Sequence, residues 1–285
     1  MITKILESLG LVSVDTITQL VNEEDSSNYQ VWKIDTAGER YILKRAKGME
    51  LQVYRQYLAQ SFSAVPKLYG ITCYDGDDYL LMEYIPGRNL NHANLHGIKA
   101  ALDGLISLQA AFLNASDPLK TYEASLQSRQ KRRNYLLDPQ LEQAYDAYLS
   151  AYQSMPRTLC HDDLLPFNVI VGKNSASLID WEYAGILPYP VSIARLLAHT
   201  EEDENAFFYM SNDDKAFAIQ YYYDNFVAKH NISYEEYIHT LNMFLLYEYC
   251  EWIMLGNKYP DADMERAKIY VQKAKKHLNN IQQEK

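Results

Sequence analysis

Cysteine is scarce in this chain of 285 residues. The three cysteines, Cys73, Cys160 and Cys250, are odd in number and lie far apart, which argues against a disulfide framework and against a C-x-x-C metal site. Cys160 stands next to His161, but neighbouring residues of an extended strand point to opposite faces. We therefore expect no Cys/His nucleophile at this position.

Long apolar runs are also missing. No stretch approaches the roughly 20 apolar residues that cross a bilayer, so the sequence predicts no membrane span. Residues 1–10 hold Lys4 and Glu7 within their only apolar stretch and lack the core of a signal peptide. We therefore expect a cytoplasmic protein.

Basic residues are outnumbered by acidic ones. There are 27 lysines and arginines against 37 aspartates and glutamates, which gives a formal net charge of −10. Phosphate backbones are bound by clustered Lys and Arg, so this balance argues against a nucleic-acid partner. An acidic body suits a cationic small molecule, and it equally suits a soluble protein with surface acids.

Polar side chains recur at fixed spacing in one stretch, residues 158–185. His161, Asp163 and Asn168 follow the order H-x-D-x-x-x-x-N, and a two-strand pattern then leads to Asp180. Paired strands would place Asp163, Asn168 and Asp180 at their ends, close to one another. The motif alone fixes few positions, and the strand pair that ends in Asp180 makes it more specific.

These residue types suit a metal-bound phosphate. Transfer of a phosphoryl group depends on positioning and on neutralisation of developing charge more than on covalent help from the protein. Asp163 can orient or accept the proton of an acceptor hydroxyl, and Asn168 and Asp180 offer the hard oxygens that Mg²⁺ prefers. A surface hairpin with incidental acids is the alternative interpretation.

The stretch resembles the catalytic loop and metal-binding segment of protein-kinase-like small-molecule kinases, which include aminoglycoside phosphotransferases and choline or ethanolamine kinases. The run I-D-W-E-Y-A-G at 179–185 is most similar to the choline kinase branch. The resemblance implies a two-lobe α+β kinase-like fold, with a small antiparallel-sheet lobe at residues 1–86 and a larger, mainly helical lobe at 87–285. It also implies that ATP and Mg²⁺ bind between the lobes and that His161 braces the catalytic loop.

The sequence pattern agrees with such a division. Five β-prone runs predict a sheet whose first three strands form an antiparallel meander: 17–21, 29–34, 40–45, 66–74 and 79–85. Beyond a Pro-Gly break the apolar spacing predicts helices near 98–112, 122–137, 141–152, 191–199, 214–229, 233–255 and 263–281. Ser233 with Glu236 is a capping box that predicts the start of the sixth of these helices, and Gly256 predicts its end.

The phosphate site is assigned by resemblance. Lys44, in the third β-prone run, would hold the α and β phosphates, and Glu50, in a helix that follows, would hold Lys44. Surface positions for both residues are the alternative. The usual glycine-rich loop is missing, because the turn at 23–28 contains no glycine. Ser27 and Asn28 match a Ser-Asn segment of the resembling families that would reach a phosphate, and a plain polar turn is the alternative.

The adenine contact is also assigned by resemblance. In the resembling families, backbone groups of the last of these strands read the base. Here that places the contact near Met82, Glu83 and Tyr84, just before the break at Pro86 and Gly87. The alternative is a central strand that does not contact a nucleotide, which would have the same sequence.

Candidates for the acceptor pocket lie in two places. Glu182 and Tyr183 directly follow the metal-binding segment, whereas Glu248 and Trp252 lie near one face of the sixth predicted helix. Aromatic faces together with carboxylates bind alkylammonium groups, although an aromatic stripe at helical spacing more often belongs to a core. In choline kinases an aromatic and acidic pocket serves this purpose, so the resemblance implies an amino alcohol such as choline or ethanolamine as acceptor.

Other interpretations stay open. The acceptor could be an aminoglycoside, a thiamine-like compound, a sugar or a ketosamine. The chain could also be a catalytically weak, nucleotide-binding kinase-like module, because Ser192 stands where the resembling kinases usually place an aspartate that braces the catalytic loop. Retention of Asp163, Asn168 and Asp180 together argues against this last interpretation.

Overall fold

The computed structural model describes residues 1–21, 26–60 and 62–283. As predicted, an antiparallel sheet comes first and the rest is mainly helical. The N-terminal elements are α1 (Ile2–Ser8), β1 (Thr16–Val21), β2 (Asn28–Asp35), β3 (Arg40–Arg45), α2 (Glu50–Gln56), β4 (Leu68–Tyr74) and β5 (Asp77–Glu83). The elements that follow are β6 (Arg88–Asn89), α3 (Leu95–Phe112), α4 (Thr121–Arg132), α5 (Pro139–Ser154), β7 (Arg157–Cys160), β8 (Val169–Val171), β9 (Ala176–Leu178), β10 (Gly185–Pro188), α6 (Pro190–Ala198), α7 (Asn212–Asn225), α8 (Tyr234–Lys258) and α9 (Pro260–Gln283).

The N-terminal sheet is antiparallel, with the spatial order β1-β2-β3-β5-β4. Alternation along β3 sends Leu43 to one face, where it packs in a core with Ile5 of α1. The next residue, Lys44, lies opposite Leu80 of β5 on the other face, and Leu80 joins the core that contains Tyr54 of α2. The sheet therefore turns Lys44 towards α2.

Helix α8 runs through the C-terminal part and packs against α5, α6 and α9. Its predicted start is confirmed, because the N–H of Glu236 donates to Ser233 Oγ over 3.2 Å. Its predicted end at Gly256 is wrong, because α8 continues to Lys258. Gly256 does not adopt the left-handed conformation of a helix-ending glycine, and it is buried within the helix.

Two helices end earlier than predicted. α4 stops at Arg132 and α7 at Asn225, and each is followed by a short 3₁₀ helix, Arg133–Tyr135 and Val227–His230. Within the described residues, no helix combines the length and the apolar character needed to cross a membrane.

Candidate active site

A short hairpin positions the two predicted metal ligands. Strand β8 pairs with β9, with Val169 opposite Leu178, and the N–H of Ile179 donates to the Asn168 carbonyl oxygen over 2.9 Å. Asn168 ends a 3₁₀ turn just before β8, and Asp180 lies just beyond β9. Asn168 and Asp180 therefore lie at the same end of the hairpin, as the two-strand pattern predicts.

The catalytic loop orients the amide of Asn168. Its Nδ2 donates to the carbonyl oxygen of Asp163 over 2.8 Å and lies 3.3 Å from Asp163 Oδ2. Asn168 is 2% exposed, so these contacts use the donor side of a buried amide. Its Oδ1 remains as an acceptor, which is the atom type that a hard cation binds.

His161 joins the catalytic loop to two other segments. Its backbone N–H donates to Ser192 Oγ over 2.9 Å, and its Nε2 lies 2.7 Å from the carbonyl oxygen of Ile179. Burial lowers the pKa of His161 to about 4, so the ring is neutral, and the carbonyl partner assigns its proton to Nε2. Ser192 thus holds the loop through a hydroxyl instead of a carboxylate.

Lys44, Glu50 and Asp180 form an ion-paired group. Lys44 Nζ donates to Glu50 Oε1 over 2.8 Å and to Asp180 Oδ1 over 2.7 Å. Lys44 is 9% exposed, and Glu50 is fully buried. Burial alone would lower the pKa of Lys44. The nearby carboxylates of Glu50 and Asp180 together have the larger effect, so the Lys44 pKa is raised. The structure therefore brings the predicted phosphate-binding lysine to the predicted metal ligand.

The backbone of Asp180 adopts an uncommon conformation. Its φ of 67° lies in the left-handed region. That region costs a non-glycine residue about 1 kcal/mol or more. The Asp180 carboxylate bonded to Lys44 is 37% exposed. Such strain, held beside a buried lysine, is typical of functional sites.

Asp163 has a shifted pKa and an unexpected partner. Burial raises the pKa of Asp163 to about 6, and the guanidinium of Arg195 opposes this rise. Arg195 Nη2 donates to Asp163 Oδ1 over 2.8 Å. Sequence reasoning missed Arg195, because its place on a largely apolar helix, three residues after Ser192, belongs to no motif. The only available signal was a charged residue inside that apolar helix.

A cavity of about 1020 Å³ opens beside Asp163. Helices α4, α6, α8 and α9 contribute to its wall, together with Tyr183 and with Phe207 and Phe208. Acids outnumber arginines among its charged side chains, which are Asp162, Asp163, Glu182, Glu201, Glu248, Glu251, Arg129, Arg132, Arg195 and Arg266. The cavity is therefore a mixed aromatic and charged pocket.

Glu248 and Trp252 line this cavity, but each already contacts a cation of the protein. Glu248 is 2% exposed and accepts a hydrogen bond from Arg195 Nη1 over 2.8 Å. The guanidinium of Arg266 lies 4.4 Å from the centre of the Trp252 ring. Contact of Glu248 and Trp252 with an acceptor stays a prediction.

Glu182 and Tyr183 stand in a different environment. Glu182 lines the cavity, and no cation pairs with it within the part of the chain that the structure describes. Tyr183 is 60% exposed at the cavity edge. The backbone carbonyl of Glu182 accepts a hydrogen bond from the N–H of Met49 over 2.9 Å, which joins it to the start of α2. This close approach requires Gly48, since a Cβ there would lie 2.5 Å from the same carbonyl oxygen.

The predicted phosphate turn is only partly visible. Its residues 23–25 lie outside the described residues. Asn28 begins β2 opposite Val21, and Ser27 precedes it; both side chains are exposed. The contact of Ser27 and Asn28 with a phosphate stays a prediction.

The predicted adenine contacts lie at the end of β5. Met82 is 4% exposed and faces the core. The N–H of Glu83 donates to the Lys67 carbonyl oxygen over 2.8 Å, so this donor is not available to a base. The Glu83 carbonyl and the backbone of Tyr84 are left as candidates.

Comparisons with known proteins agree with this geometry. The model of the APH family, the phosphotransferase enzyme family, matches residues 18–221. No curated protein sequence matches the chain. Among solved structures, choline kinase LicA from Streptococcus pneumoniae is similar, with 18% sequence identity, a TM-score of 0.65 and coverage of 97% of this chain and 98% of that chain.

Two further structures have the same fold. An aminoglycoside-3'-phosphotransferase of type VIII has 19% identity and a TM-score of 0.58, and the match covers 82% of this chain and 93% of that chain. The amicoumacin kinase hAmiN, in complex with AMP-PNP, Ca²⁺ and Ami, has 14% identity and a TM-score of 0.63, with coverage of 95% and 92%. These likenesses confirm the predicted kinase-like α+β fold.

Proposed function

Because the chain belongs to the APH phosphotransferase enzyme family, we propose that it transfers the γ-phosphoryl group of ATP to a hydroxyl of a small molecule. Two hydrogen-bonded pairs carry this proposal, Lys44 with Asp180 and Asn168 with Asp163. The β8–β9 hairpin brings the pairs together, because Asn168 and Asp180 lie at the same end of it. ATP would bind between a smaller lobe, residues 1–86, and a larger lobe.

The donor set at the hairpin end fits Mg²⁺. Asn168 is held through its Nδ2, which leaves its Oδ1 as an acceptor, and Asp180 adds a carboxylate. Within the described residues no group of three or more His, Cys, Asp or Glu side chains could hold a metal. Mg²⁺ usually takes only one or two carboxylates and completes its shell with substrate phosphates and water, so Asn168 and Asp180 suffice. When bound there, the ion would neutralise charge on the phosphates.

Each site residue then has its own role in the transfer. Asp163 Oδ2 takes the proton of the acceptor hydroxyl while the acceptor oxygen bonds to the γ-phosphorus and the bond from that phosphorus to the leaving ADP oxygen breaks. Lys44, held by Glu50, binds the phosphates and offsets the charge on the leaving ADP. His161 is neutral and holds the loop in place.

The proposed acceptor is an amino alcohol such as choline or ethanolamine. Its cationic group would lie near Glu182, the cavity acid that pairs with no cation in the described parts of the chain, with the aromatic rings of Tyr183, Phe207 and Phe208 in the same wall. Such a group of rings and a carboxylate attracts an alkylammonium ion. The similarity to a choline kinase along nearly the whole chain supports this choice.

The test is ATP consumption with a panel of acceptors: choline, ethanolamine, an aminoglycoside, thiamine and a ketosamine. Turnover above that of Asp163→Ala is expected with choline or ethanolamine. A response to polyamino sugars alone would refute the amino alcohol and keep the phosphotransfer mechanism. If no acceptor raises turnover above the Asp163→Ala control, the chain acts only as a nucleotide-binding module.

Glu182→Gln tests the acceptor site separately. It removes a negative charge that pairs with no cation among the described residues, so KM for choline should rise about 10-fold, the loss of roughly 1.4 kcal/mol of binding. KM for ATP should stay unchanged. The isosteric control Glu201→Gln alters an acid that already pairs with Lys273. An equal rise of KM in both variants would contradict the assignment of Glu182.

A further inference from the structure

All three nitrogen atoms of the Arg195 guanidinium form hydrogen bonds inside the protein. Nε and Nη2 donate to the same oxygen, Asp163 Oδ1, over 3.2 and 2.8 Å. Nη1 donates to Glu248 Oε2 over 2.8 Å and to Glu251 Oε2 over 2.6 Å. The Arg195 side chain is only 12% exposed. One buried cation therefore joins the reacting carboxylate to helix α8.

The contact leaves one oxygen of Asp163 for the reaction. Oδ1 accepts both donors of Arg195, whereas Oδ2 lies 3.3 Å from Asn168 Nδ2. These contacts from two sides fix the plane of the carboxylate. The Asp163 side chain is still 22% exposed and lines the cavity, so Oδ2 is the oxygen that an acceptor hydroxyl can reach.

Glu248 and Glu251 explain how a buried arginine can serve in this way. A guanidinium taken out of water is costly unless its donors are paired. The two glutamates stand three residues apart, on one face of α8, and both accept from Nη1. They anchor Arg195 independently of the catalytic loop. The guanidinium of Arg195 therefore approaches Asp163 from a fixed direction.

We propose that Arg195 is a positioning residue of the phosphotransfer reaction, which holds Asp163 so that Oδ2 faces the acceptor hydroxyl. This inference rests on the proposed function. It gives Glu248 and Glu251 a structural purpose other than binding the acceptor, because both hold Arg195.

The test compares Arg195→Ala with wild type, using the panel acceptor that gives the highest turnover. Arg195→Ala should lower kcat about 100-fold, the size of effect that a misplacement of about 1 Å produces. The Kd for ATP should change less than about twofold, because Lys44 and Glu50 are untouched. In Arg195→Lys, kcat should fall about 10-fold, since an ammonium group cannot reproduce the planar set of donors of a guanidinium.

Chemical rescue separates positioning from general damage. Millimolar guanidinium chloride should restore part of the kcat of Arg195→Ala, because the ion can enter the gap between Asp163 and Glu251. It should not raise the turnover of Asp163→Ala or of wild type. The control Arg133→Ala removes an arginine that also pairs with two acids, Glu142 and Asp146, none of the three lining the cavity, and should keep wild-type kcat.

The outcomes are distinct. A kcat of Arg195→Ala within about threefold of wild type, or a loss that guanidinium does not restore, overturns the proposal while phosphotransfer stands. If Arg195→Ala fails to bind ATP, Arg195→Lys takes its place, and a kcat within about threefold of wild type then overturns it. If wild type shows no acceptor-dependent turnover, the proposed function fails first, and the role of Arg195 falls with it.

Discussion

At the residue scale, the pair of Lys44 and Glu50 links stability to activity. Lys44→Met leaves the fully buried Glu50 without its cation, so the free energy of unfolding should fall by about 3 kcal/mol. The double variant Lys44→Met/Glu50→Leu should recover most of that loss, because an apolar replacement of a buried ion pair is often neutral. Urea unfolding measures stability, and ATP consumption should be absent from both variants. A double variant as unstable as Lys44→Met would contradict this account.

Site residues that lie close together in the sequence can be predicted from it, whereas those that meet only through packing cannot. Asp163, Asn168 and Asp180 lie within one loop and hairpin, so local spacing was enough to place them together. Arg195 and Glu248 meet across 53 residues, because α6 packs on α8. No local pattern encodes that contact. The helix face that carries Glu248 was predictable from the sequence, but the pairing of Glu248 with Arg195 was not.

At the scale of elements, the close contact between α2 and the segment after Asp180 is the feature to test. Gly48 has a φ of 49°, and a Cβ there would lie 2.5 Å from the Glu182 carbonyl oxygen. Gly48→Ala should therefore lower stability by about 2 kcal/mol and reduce kcat, since α2 carries Glu50. Gly76→Ala is the matched control, because Gly76 has a φ of 85° and open space around it. Equal effects of the two variants on stability and turnover would contradict a role for the contact.

Element boundaries show a similar limit of prediction. The capping box of Ser233 fixed the start of α8, since a cap acts through neighbouring residues. Gly256 does not end α8 because a glycine can also be buried inside a helix, and local sequence does not distinguish a buried glycine from one that ends a helix. The strands of the sheet were found to within a few residues, because alternation and turn residues are local signals.

At the scale of the whole molecule, thiol reactivity reports how the chain opens. Cys73 is exposed, whereas Cys160 and Cys250 are buried. Burial raises the pKa of the Cys160 thiol to about 12, so only about 10⁻⁴ of it is thiolate at pH 8. A disulfide reagent should modify one thiol rapidly in the native protein and the other two only on unfolding. Cys73→Ser should abolish the rapid phase, and fast modification of more than one thiol in native protein would contradict the packing described.

For the whole molecule, we expect transfer of the phosphoryl group to an acceptor and not simple hydrolysis of ATP. Phosphorus NMR of a mixture of the protein, ATP, Mg²⁺ and choline observes the products directly. We expect a new phosphomonoester of choline that forms in the same amount as ADP. It should be absent with Asp163→Asn, since loss of a general base typically costs about 100- to 10,000-fold in rate. ADP that accumulates with inorganic phosphate alone, at equal rates in wild type and Asp163→Asn, would contradict this expectation.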